Sequence, residues 1–443
     1  MFNDIDKLFK KYFPNSPFER LYDFQIKTIE NILKNKNTLA IMPTGGGKSL
    51  IYWTAGAVLN GITMVISPLL ALIDEQAQKI RDEGFEVLVI HSGIDQDKQN
   101  KNMIDFYHRT LNPSFIFASP ERISTDGFFE YCIRDRKEEI KMFVIDEIHC
   151  VSQWGFNFRP LYKRIPEFLN NLYDDKWPII LGLTATLNPK DLNIICDDFK
   201  IKSDNIFKDE LLLRPEIELK VKEFNNEEEK EMALWGLLTI HKEEKILVYL
   251  YRKYPKRGVV DLHKKAIERG FNALSFHGDM TSGLRQEIIK SFKENNVNIV
   301  FATNAFGMGI DIFDIRVVIH FMPPESVERY YQEIGRAARD KKQAYAYLLY
   351  SEKNNEVKRQ FFIDDSFPDI KKIEKLHSEI TNNELGLKTM NVYENDERKD
   401  VFPYLIDTGI IEIKTKSITN IDIFGEINDD ESETPGKTGG LNS

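Results

Sequence analysis

The chain has 443 residues, of which 42% are hydrophobic and 29% are charged, and its formal net charge at pH 7 is −10. This length exceeds one ordinary domain and predicts two or three units, each able to bury its own core. The composition is that of a soluble globular protein, and the absence of an apolar run of about 18 residues argues against a membrane span.

The N-terminus and the cysteines indicate a reducing compartment. The first six residues have no basic start followed by an apolar stretch, so a signal peptide is not expected and the predicted location is the cytoplasm. Cys132, Cys150 and Cys196 lack CxxC spacing, so neither a disulfide framework nor a four-cysteine zinc site is expected. The acidic net charge weakens nonspecific binding to nucleic acid but does not exclude a basic track along one strand.

Short β-branched runs alternate with amphipathic segments through most of the chain, a pattern typical of parallel sheets with helices on both faces. In the first half the predicted strands are Thr38–Met42, Thr63–Ser67, Val87–His91, Ser114–Ala118, Met142–Asp146 and Ile179–Thr184. In the second half they are Ile246–Tyr249, Ala273–Phe276, Asn298–Ala302, Val317–Phe321 and Ala344–Leu349. The fold class is therefore α/β, with a first lobe over 1–207 and a second over 208–350, joined near Leu213-Arg214-Pro215.

The strand pattern fades after residue 350. Apolar residues recur at helical spacing between 370 and 380, a second short helix is predicted at 401–405, and a strand at 410–413. These elements predict a small winged-helix-like module over 351–425, with a helical appendage on the second lobe as the alternative. The acidic, polar sequence of 426–443 predicts a disordered tail.

A phosphate loop is predicted at Met42-Pro43-Thr44-Gly45-Gly46-Gly47-Lys48-Ser49, between an apolar strand and an apolar helix. Consecutive glycines let backbone N–H groups surround phosphate oxygens, and the helix N-terminus adds a favourable dipole. Lys48 would reach the β- and γ-phosphates and Ser49 would bind Mg²⁺. A glycine turn with an incidental Lys-Ser is the alternative. The candidate ATP-binding residues of this loop are Thr44, Gly45, Gly46, Gly47, Lys48 and Ser49.

Two adjacent carboxylates, Asp146 and Glu147, end a later apolar strand. ATP hydrolysis needs one carboxylate to hold Mg²⁺ and another to orient and deprotonate the attacking water. Asp146 suits the first role and Glu147 the second. Acidic pairs are common on protein surfaces, so the pair indicates a hydrolytic site only in combination with Lys48 of the phosphate loop.

A basic segment follows in the second lobe, where Arg336 and Arg339 stand three residues apart in Gln332–Asp340. This spacing predicts that both guanidinium groups lie on one helical face, from which they can clamp a γ-phosphate across the cleft between the lobes. A solvated basic helix is the alternative for this segment taken alone.

Together these motifs resemble those of superfamily 2 helicases of the RecQ family, over about residues 18–350. The resemblance implies two tandem RecA-like lobes with ATP and Mg²⁺ in the cleft, and it places His149 of the Asp-Glu-Ile-His box among the catalytic residues. It implies that Gln25 reads adenine, since an amide can both donate and accept hydrogen bonds. Gly309 and Asp311, in a motif V-like segment, would contribute to the nucleotide site.

Other motifs of the resemblance imply contacts to the nucleic acid strand. Ser67–Leu72 and Ser119–Arg122 are similar to motifs Ia and Ib, Leu183–Thr186 to motif III, and Ala302–Asp311 to motif V. The strand-contacting residues implied by these segments are Ser67, Pro68, Arg122 and Thr303.

The segment Ser152–Pro160 resembles the aromatic-rich loop that separates RecQ helicases from other superfamily 2 families. Trp154 and Phe158 can stack on bases, and Arg159 can hold a phosphate or a neighbouring carboxylate. Following directly after Asp146–His149, the loop can report strand occupancy to the ATP site. The alternative is an ordinary aromatic core.

Some positions depart from the family pattern. Ile148 stands where RecQ proteins carry Ala, and Phe156 and Asn157 replace His and Asp of the aromatic-rich loop. Tyr22 replaces the arginine three residues before the adenine-reading glutamine. No cysteine follows Cys196, so the family's zinc module is not expected.

The function predicted is that of an ATP-dependent DNA helicase that moves along single-stranded DNA and separates strands, with 3′→5′ movement implied by the resemblance. The expected partners are single-stranded DNA and duplex junctions, with a protein partner that gates the motor as a further one. A monomer is expected. A translocase or RNA remodeller without processive unwinding, and a nucleotide-binding scaffold, are the rival functions.

Overall fold

The structure is a computed structural model. It describes residues 4–43, 45–68, 70–151, 160–209, 214–254, 256–307 and 312–354, together with 371, 374, 375 and 378. The predicted aromatic-rich loop except Pro160, nearly all of the predicted C-terminal module and the predicted tail lie outside these residues. Among the described residues, no helix combines the length and apolar character that crossing a membrane requires.

The first lobe is a parallel sheet with the strand order β3-β4-β2-β5-β6-β1-β7. Its strands are β1 Thr38–Ile41, β2 Ile62–Ile66, β3 Val87–Ile90, β4 Phe115–Ala118, β5 Ile140–Ile145, β6 Ile179–Thr184 and β7 Ile206–Lys208. Its helices are α1 Ile5–Tyr12, α2 Asp23–Leu33, α3 Lys48–Leu59, α4 Leu70–Asp82, α5 Gln96–Tyr107, α6 Pro120–Thr125, α7 Gly127–Asp135, α8 Ile165–Tyr173 and α9 Pro189–Asp198.

The sheet of the first lobe is covered on both faces, which explains why its strands read as nearly continuous apolar runs. Successive side chains of β5 point to opposite faces. Phe143 and Ile145 join the core cluster on one side of the sheet, and Met142 and Val144 join the cluster on the other side. The strand centres are therefore fully buried, and polar groups are confined to the strand ends.

The second lobe is a separate parallel sheet with the order β10-β11-β9-β12-β13-β8. Its strands are β8 Ile217–Phe224, β9 Lys245–Tyr249, β10 Ala273–Phe276, β11 Ile299–Ala302, β12 Ile315–His320 and β13 Ala344–Ser351. Its helices are α10 Glu227–Ile240, α11 Val259–Glu268, α12 Ser282–Lys293 and α13 Val327–Ile334. It has its own two core clusters, one on each face of the sheet.

The α/β fold class and its two parallel-sheet lobes are confirmed, and the eleven predicted strands are present to within two residues at each end. Strands β7 and β8 were not predicted. Strand β7 has three residues, and β8 is an edge strand whose alternating charged residues hide its strand character. Because β7 pairs with β1 through Lys208, the first sheet extends one residue past the predicted boundary at 207.

The parallel strands bring their carboxyl ends to one edge of each sheet, where ligands bind in open α/β folds. The phosphate loop follows β1, Ser67 follows β2, and the Asp146–Glu147 pair follows β5. In the second lobe, Thr303 follows β11, and Arg336 and Arg339 follow α13.

Candidate nucleotide site between the lobes

Two glycines shape the phosphate loop by adopting a left-handed backbone. Gly45 has φ +79° and Gly47 has φ +78°, a region that residues with a Cβ atom seldom enter. Gly47 also forms the N-cap of α3. A Cβ atom on Gly47 would lie 2.7 Å from Nε2 of Gln25, so this position accommodates only glycine.

The side-chain amide of Gln25 is hydrogen-bonded to the phosphate loop. Its Nε2 donates hydrogen bonds to the carbonyl oxygens of Gly46 and Gly47 at 3.1 and 3.0 Å. Its Oε1 accepts a hydrogen bond from the backbone N–H of Tyr22 at 2.8 Å. Gln25 is fully buried. The predicted adenine contact would use this same amide, whose two ends are both bonded to backbone groups in this structure.

The catalytic candidates of the first lobe converge beside this loop. Lys48 Nζ lies 3.0 Å from Glu147 Oε1 and forms an ion pair with it. Asp146 Oδ2 accepts a hydrogen bond from Ser67 Oγ at 3.2 Å. Glu147 has φ +49°, a left-handed backbone that is uncommon for a residue with a Cβ atom and that ends the extended strand. The cluster thus holds two carboxylates and one ammonium group.

The charge balance of this cluster favours an added cation. Burial, with the neighbouring Glu147, raises the pKa of Asp146 to about 6, although Lys48 opposes the rise. Burial also acts to raise the pKa of Glu147, but the charge and hydrogen bond of Lys48 outweigh it and hold this pKa below its usual value. The pKa of Lys48 is raised, because Glu147 and Asp146 outweigh the effect of burial. Asp146 is therefore the less stabilised carboxylate of the pair, and a nearby cation would lower its pKa, which is compatible with the predicted role of Mg²⁺ ligand.

His149 connects the hydrolytic cluster to the second lobe. Its Nδ1 lies 2.9 Å from Thr184 Oγ1 and 3.3 Å from Glu147 Oε2. Its Nε2 lies 3.5 Å from Nε2 of Gln332 in α13. Burial lowers the pKa of His149, so the ring is neutral at pH 7 and its Nε2 can accept from the Gln332 amide. One imidazole thus contacts groups of three different motifs.

Arg336 and Arg339 face the first lobe, but not from one helical face as predicted. Helix α13 ends at Ile334, and the next residues form turns in which Ala338 has φ +54°. A left-handed residue cannot continue an α-helix, so the spacing of three does not place the two arginines one above the other. Arg339 nevertheless lies close to the phosphate loop: its Cγ is 3.6 Å from the point that a Cβ atom would occupy if Gly45 had one.

Arg336 is a buried arginine whose charge acts on a carboxylate of the first lobe. It is 6% exposed, and its positive charge contributes to the lowered pKa of Glu147 in the opposite lobe. Its Nε is buried and has no hydrogen-bond acceptor among the described residues. A buried donor without an acceptor is costly, so this geometry suits an anionic ligand.

The residues predicted to contact the DNA strand occupy several environments. Ser67 is buried and donates a hydrogen bond to Asp146, and Pro68 lies between β2 and α4. Arg122 is 8% exposed and pairs with Asp126 at 3.0 Å. Thr303 is buried, and its backbone N–H donates to the Phe276 carbonyl. The predicted site residues outside the described part of the chain are Thr44, Trp154, Phe158, Arg159, Gly309 and Asp311.

Two further residues reach the cleft that motif analysis did not assign to it. Arg214 Nη1 lies 3.7 Å from the position of a Cβ atom on Gly45. Lys341 Nζ donates to the hydroxyl of Tyr22 at 2.7 Å, a direct contact between the lobes. Each is a single basic residue in an irregular segment, a weak sequence signal. Their positions relative to recognised elements are the available sequence signal. Arg214 lies three residues before β8, the first strand of the second sheet, and Lys341 directly follows Gln332–Asp340.

Comparison with known proteins assigns the class. Residues 22–195 match the DEAD/DEAH box helicase family, and residues 229–341 match the helicase conserved C-terminal domain. The two-lobed fold is shared with S. cerevisiae Dbp5 bound to RNA and ADP BeF3, with a TM-score of 0.62 at 19% identity over 82% of this chain and 93% of that one. The sequence therefore carries both domains of a superfamily 2 helicase, and the fold is the two-lobed fold of that structure.

Within that class, the chain is similar to the RecQ family of ATP-dependent DNA helicases. It is 33% identical over 332 residues to the probable ATP-dependent DNA helicase RecS of Bacillus subtilis (strain 168), covering 75% of this chain and 64% of that protein. It is 28% identical over 405 residues to the ATP-dependent DNA helicase RecQ of Synechocystis, covering 87% of this chain and 83% of that protein. The chain thus spans somewhat less than two thirds of RecS and most of the Synechocystis protein.

Proposed function

We propose that the protein is an ATP-dependent DNA helicase that couples ATP hydrolysis to movement along single-stranded DNA and to strand separation. The observation that carries the proposal is the meeting of Lys48, Asp146 and Glu147 of one lobe with Arg336 and Arg339 of the other. A site divided between two lobes can link hydrolysis to their relative movement. A scaffold that only binds nucleotide has no need of both a hydrolytic carboxylate pair and arginines facing it.

Nucleotide binding would rearrange the ion pair of the first lobe. Lys48 and Glu147 are joined at 3.0 Å, and a triphosphate at the loop competes for the Lys48 ammonium group. The exchange leaves the Glu147 carboxylate to accept a proton from the attacking water. Asp146 would hold the Mg²⁺ of MgATP, which offsets negative charge on the phosphates.

The second lobe would respond to the γ-phosphate through its arginines. Arg336 and Arg339 can stabilise charge that develops on the transferred phosphoryl group, and loss of that group removes their ligand. Gln332 would transmit the change through His149 to Thr184, whose Oγ1 donates to the Thr186 carbonyl at 2.8 Å. This path leads from the phosphate to the motif III-like segment.

The DNA substrate, the 3′→5′ direction and the partners are proposed on the strength of the family. The relatives RecS and RecQ are named as DNA helicases, and the aromatic-rich segment Ser152–Pro160 supports a single-stranded substrate. We propose duplex junctions as the sites of action, a monomeric motor, a cytoplasmic location and a requirement for ATP and Mg²⁺ without zinc. A protein partner that gates the motor fits the same scheme.

Steady-state ATP hydrolysis by the purified chain tests the proposal. It is measured without nucleic acid and with single-stranded DNA, duplex DNA or RNA. Single-stranded DNA should stimulate hydrolysis most. Glu147→Gln should retain ATP binding and lose about 10²- to 10⁴-fold in turnover, because the general base is removed. Glu268→Gln, a change on the exposed surface of α11, serves as the matched control and should hydrolyse ATP normally.

The outcomes separate the candidate functions. Stimulation by single-stranded DNA with faster unwinding of 3′-tailed than of 5′-tailed duplexes supports the helicase in full. Stimulation by RNA or duplex alone would assign the motor to a remodeller or a duplex translocase. Near-normal turnover by Glu147→Gln would remove Glu147 from the role of general base.

A further inference from the structure

Arg214 lies in the connection between the two lobes, directly before β8, and its side chain turns toward the nucleotide site. The side chain is 15% exposed, so most of it is inside the protein. Arg214 thus belongs to the chain segment that must accommodate any movement of one lobe against the other.

Contacts in the second lobe fix the orientation of this guanidinium group. Nη2 donates a hydrogen bond to the carbonyl oxygen of Ala338 at 2.5 Å, and Nε lies 3.4 Å from Glu216 Oε2. Ala338 directly precedes Arg339. Both contacts are with the second lobe, so Arg214 is carried with that lobe and with the turn that bears Arg339.

The same group reaches the phosphate loop of the first lobe. Arg214 Nη1 lies 3.7 Å from the position of a Cβ atom on Gly45, and Arg339 Cγ lies 3.6 Å from it. Gly45 has a left-handed backbone and belongs to the loop that would surround the phosphates. Two arginine side chains of the second lobe therefore approach the loop at Gly45, while Gln25 bonds to it at Gly46 and Gly47.

We propose that Arg214 is a further phosphate-binding residue of the ATP site, which contacts the terminal phosphates when ATP occupies the loop. A guanidinium group presents planar donors that match phosphate oxygens, and prior anchoring at Ala338 lowers the entropy lost on binding. The inference rests on the proposed function, because it takes ATP as the ligand. It adds that the interlobe connection itself senses the triphosphate.

Equilibrium binding of AMP-PNP and of ADP to the full-length chain tests this role, with Arg214→Ala, Arg214→Lys and wild type compared. Arg214→Ala should weaken AMP-PNP binding about 10- to 100-fold, as expected for loss of a hydrogen bond to a charged group. ADP binding should weaken by no more than about threefold, because ADP lacks the terminal phosphate. The AMP-PNP affinity of Arg214→Lys should lie between those of wild type and Arg214→Ala, since lysine keeps the positive charge but lacks the paired donors of the guanidinium group.

Arg316→Ala is the matched control for a purely structural role. Arg316 supports the same turn through bonds to the Lys342 and Gln343 carbonyls at 3.1 and 3.2 Å and to Asp340, but it belongs to no part of the proposed nucleotide site. It should leave the ratio of the AMP-PNP and ADP affinities unchanged. Thermal unfolding of each variant checks that it is folded.

Unchanged AMP-PNP affinity in Arg214→Ala would overturn the inference, as would equal losses for both nucleotides matched by Arg316→Ala. If Arg214→Ala does not fold, an unchanged affinity ratio in Arg214→Lys would overturn it equally. Wild-type protein that binds AMP-PNP without hydrolysis stimulated by DNA would contradict the proposed function and leave this inference standing. Wild-type protein that binds neither nucleotide would contradict both.

Discussion

Gly47 illustrates how tightly one residue is constrained at the nucleotide site. It combines a left-handed backbone with a 2.7 Å approach of Gln25 Nε2 to the position where a Cβ atom would stand. The amide of Gln25 cannot retreat without loss of its bonds to the Gly46 and Gly47 carbonyls. Backbone conformation and side-chain packing therefore select glycine independently.

We expect Gly47→Ala to reduce ATP hydrolysis at least about tenfold, because the added methyl displaces Gln25 and distorts the phosphate loop. Gly84→Ala is the control. Gly84 has a similar φ of +90°, and no atom of the described residues lies within 4 Å of a Cβ built on it. The control should lose about 1 kcal/mol of unfolding free energy and keep its ATPase activity. Equal ATPase rates in the two variants would show that the loop tolerates the methyl.

The junction of α6 and α7 shows how an element boundary positions a candidate DNA contact. Asp126 is the N-cap of α7, with Oδ1 accepting from the Phe129 N–H at 2.9 Å. Its Oδ2 lies 3.0 Å from Nη1 of Arg122 in α6. One carboxylate thus begins a helix and fixes the direction of the arginine on the preceding one.

Asp126→Ala should lower the free energy of unfolding by about 1 to 2 kcal/mol, since it removes the helix cap and the partner of a buried arginine. Asp126→Asn keeps an oxygen that can cap the helix and should lose less. Urea denaturation monitored by circular dichroism measures both. If the two variants lose the same amount, the cap contributes nothing and the charge pair accounts for the effect.

At the scale of the whole molecule, each lobe has a complete sheet with core on both faces. The first sheet closes with β7, whose following residue Asp209 donates its N–H to the Ile41 carbonyl. Among the described residues, side-chain contacts that cross the cleft include Lys341 with Tyr22 and Gln332 with His149. Each lobe therefore has its own core, and we expect the first lobe to fold by itself.

A fragment of residues 1–209 should accordingly fold with a single cooperative thermal transition, because its core clusters are formed within it. It should hydrolyse ATP at least about a hundredfold more slowly than the full chain, since Arg336 and Arg339 are missing. Circular dichroism and a coupled ATPase assay measure the two properties. Full activity of the fragment would exclude the second lobe from catalysis.

Local patterns in the sequence determined the strands, the two-lobed fold class and the chemical identity of the phosphate loop and carboxylate pair. A strand that is buried on both faces has a continuous run of β-branched residues, which the sequence shows directly. The glycines and lysine of the phosphate loop and the adjacent carboxylates are recognised by their local spacing, without reference to distant residues. Short or edge strands such as β7 and β8 carry too few buried residues for such a pattern.

Tertiary structure decided everything that depends on residues far apart in the chain. The turn at Ala338 moved Arg336 and Arg339 off one helical face, and Gln25 was found beneath the phosphate loop. Arg214 bonds to Ala338, 124 residues later, and reaches Gly45 of the other lobe. Such contacts follow from the packing of two sheets, whose relative placement no local periodicity encodes.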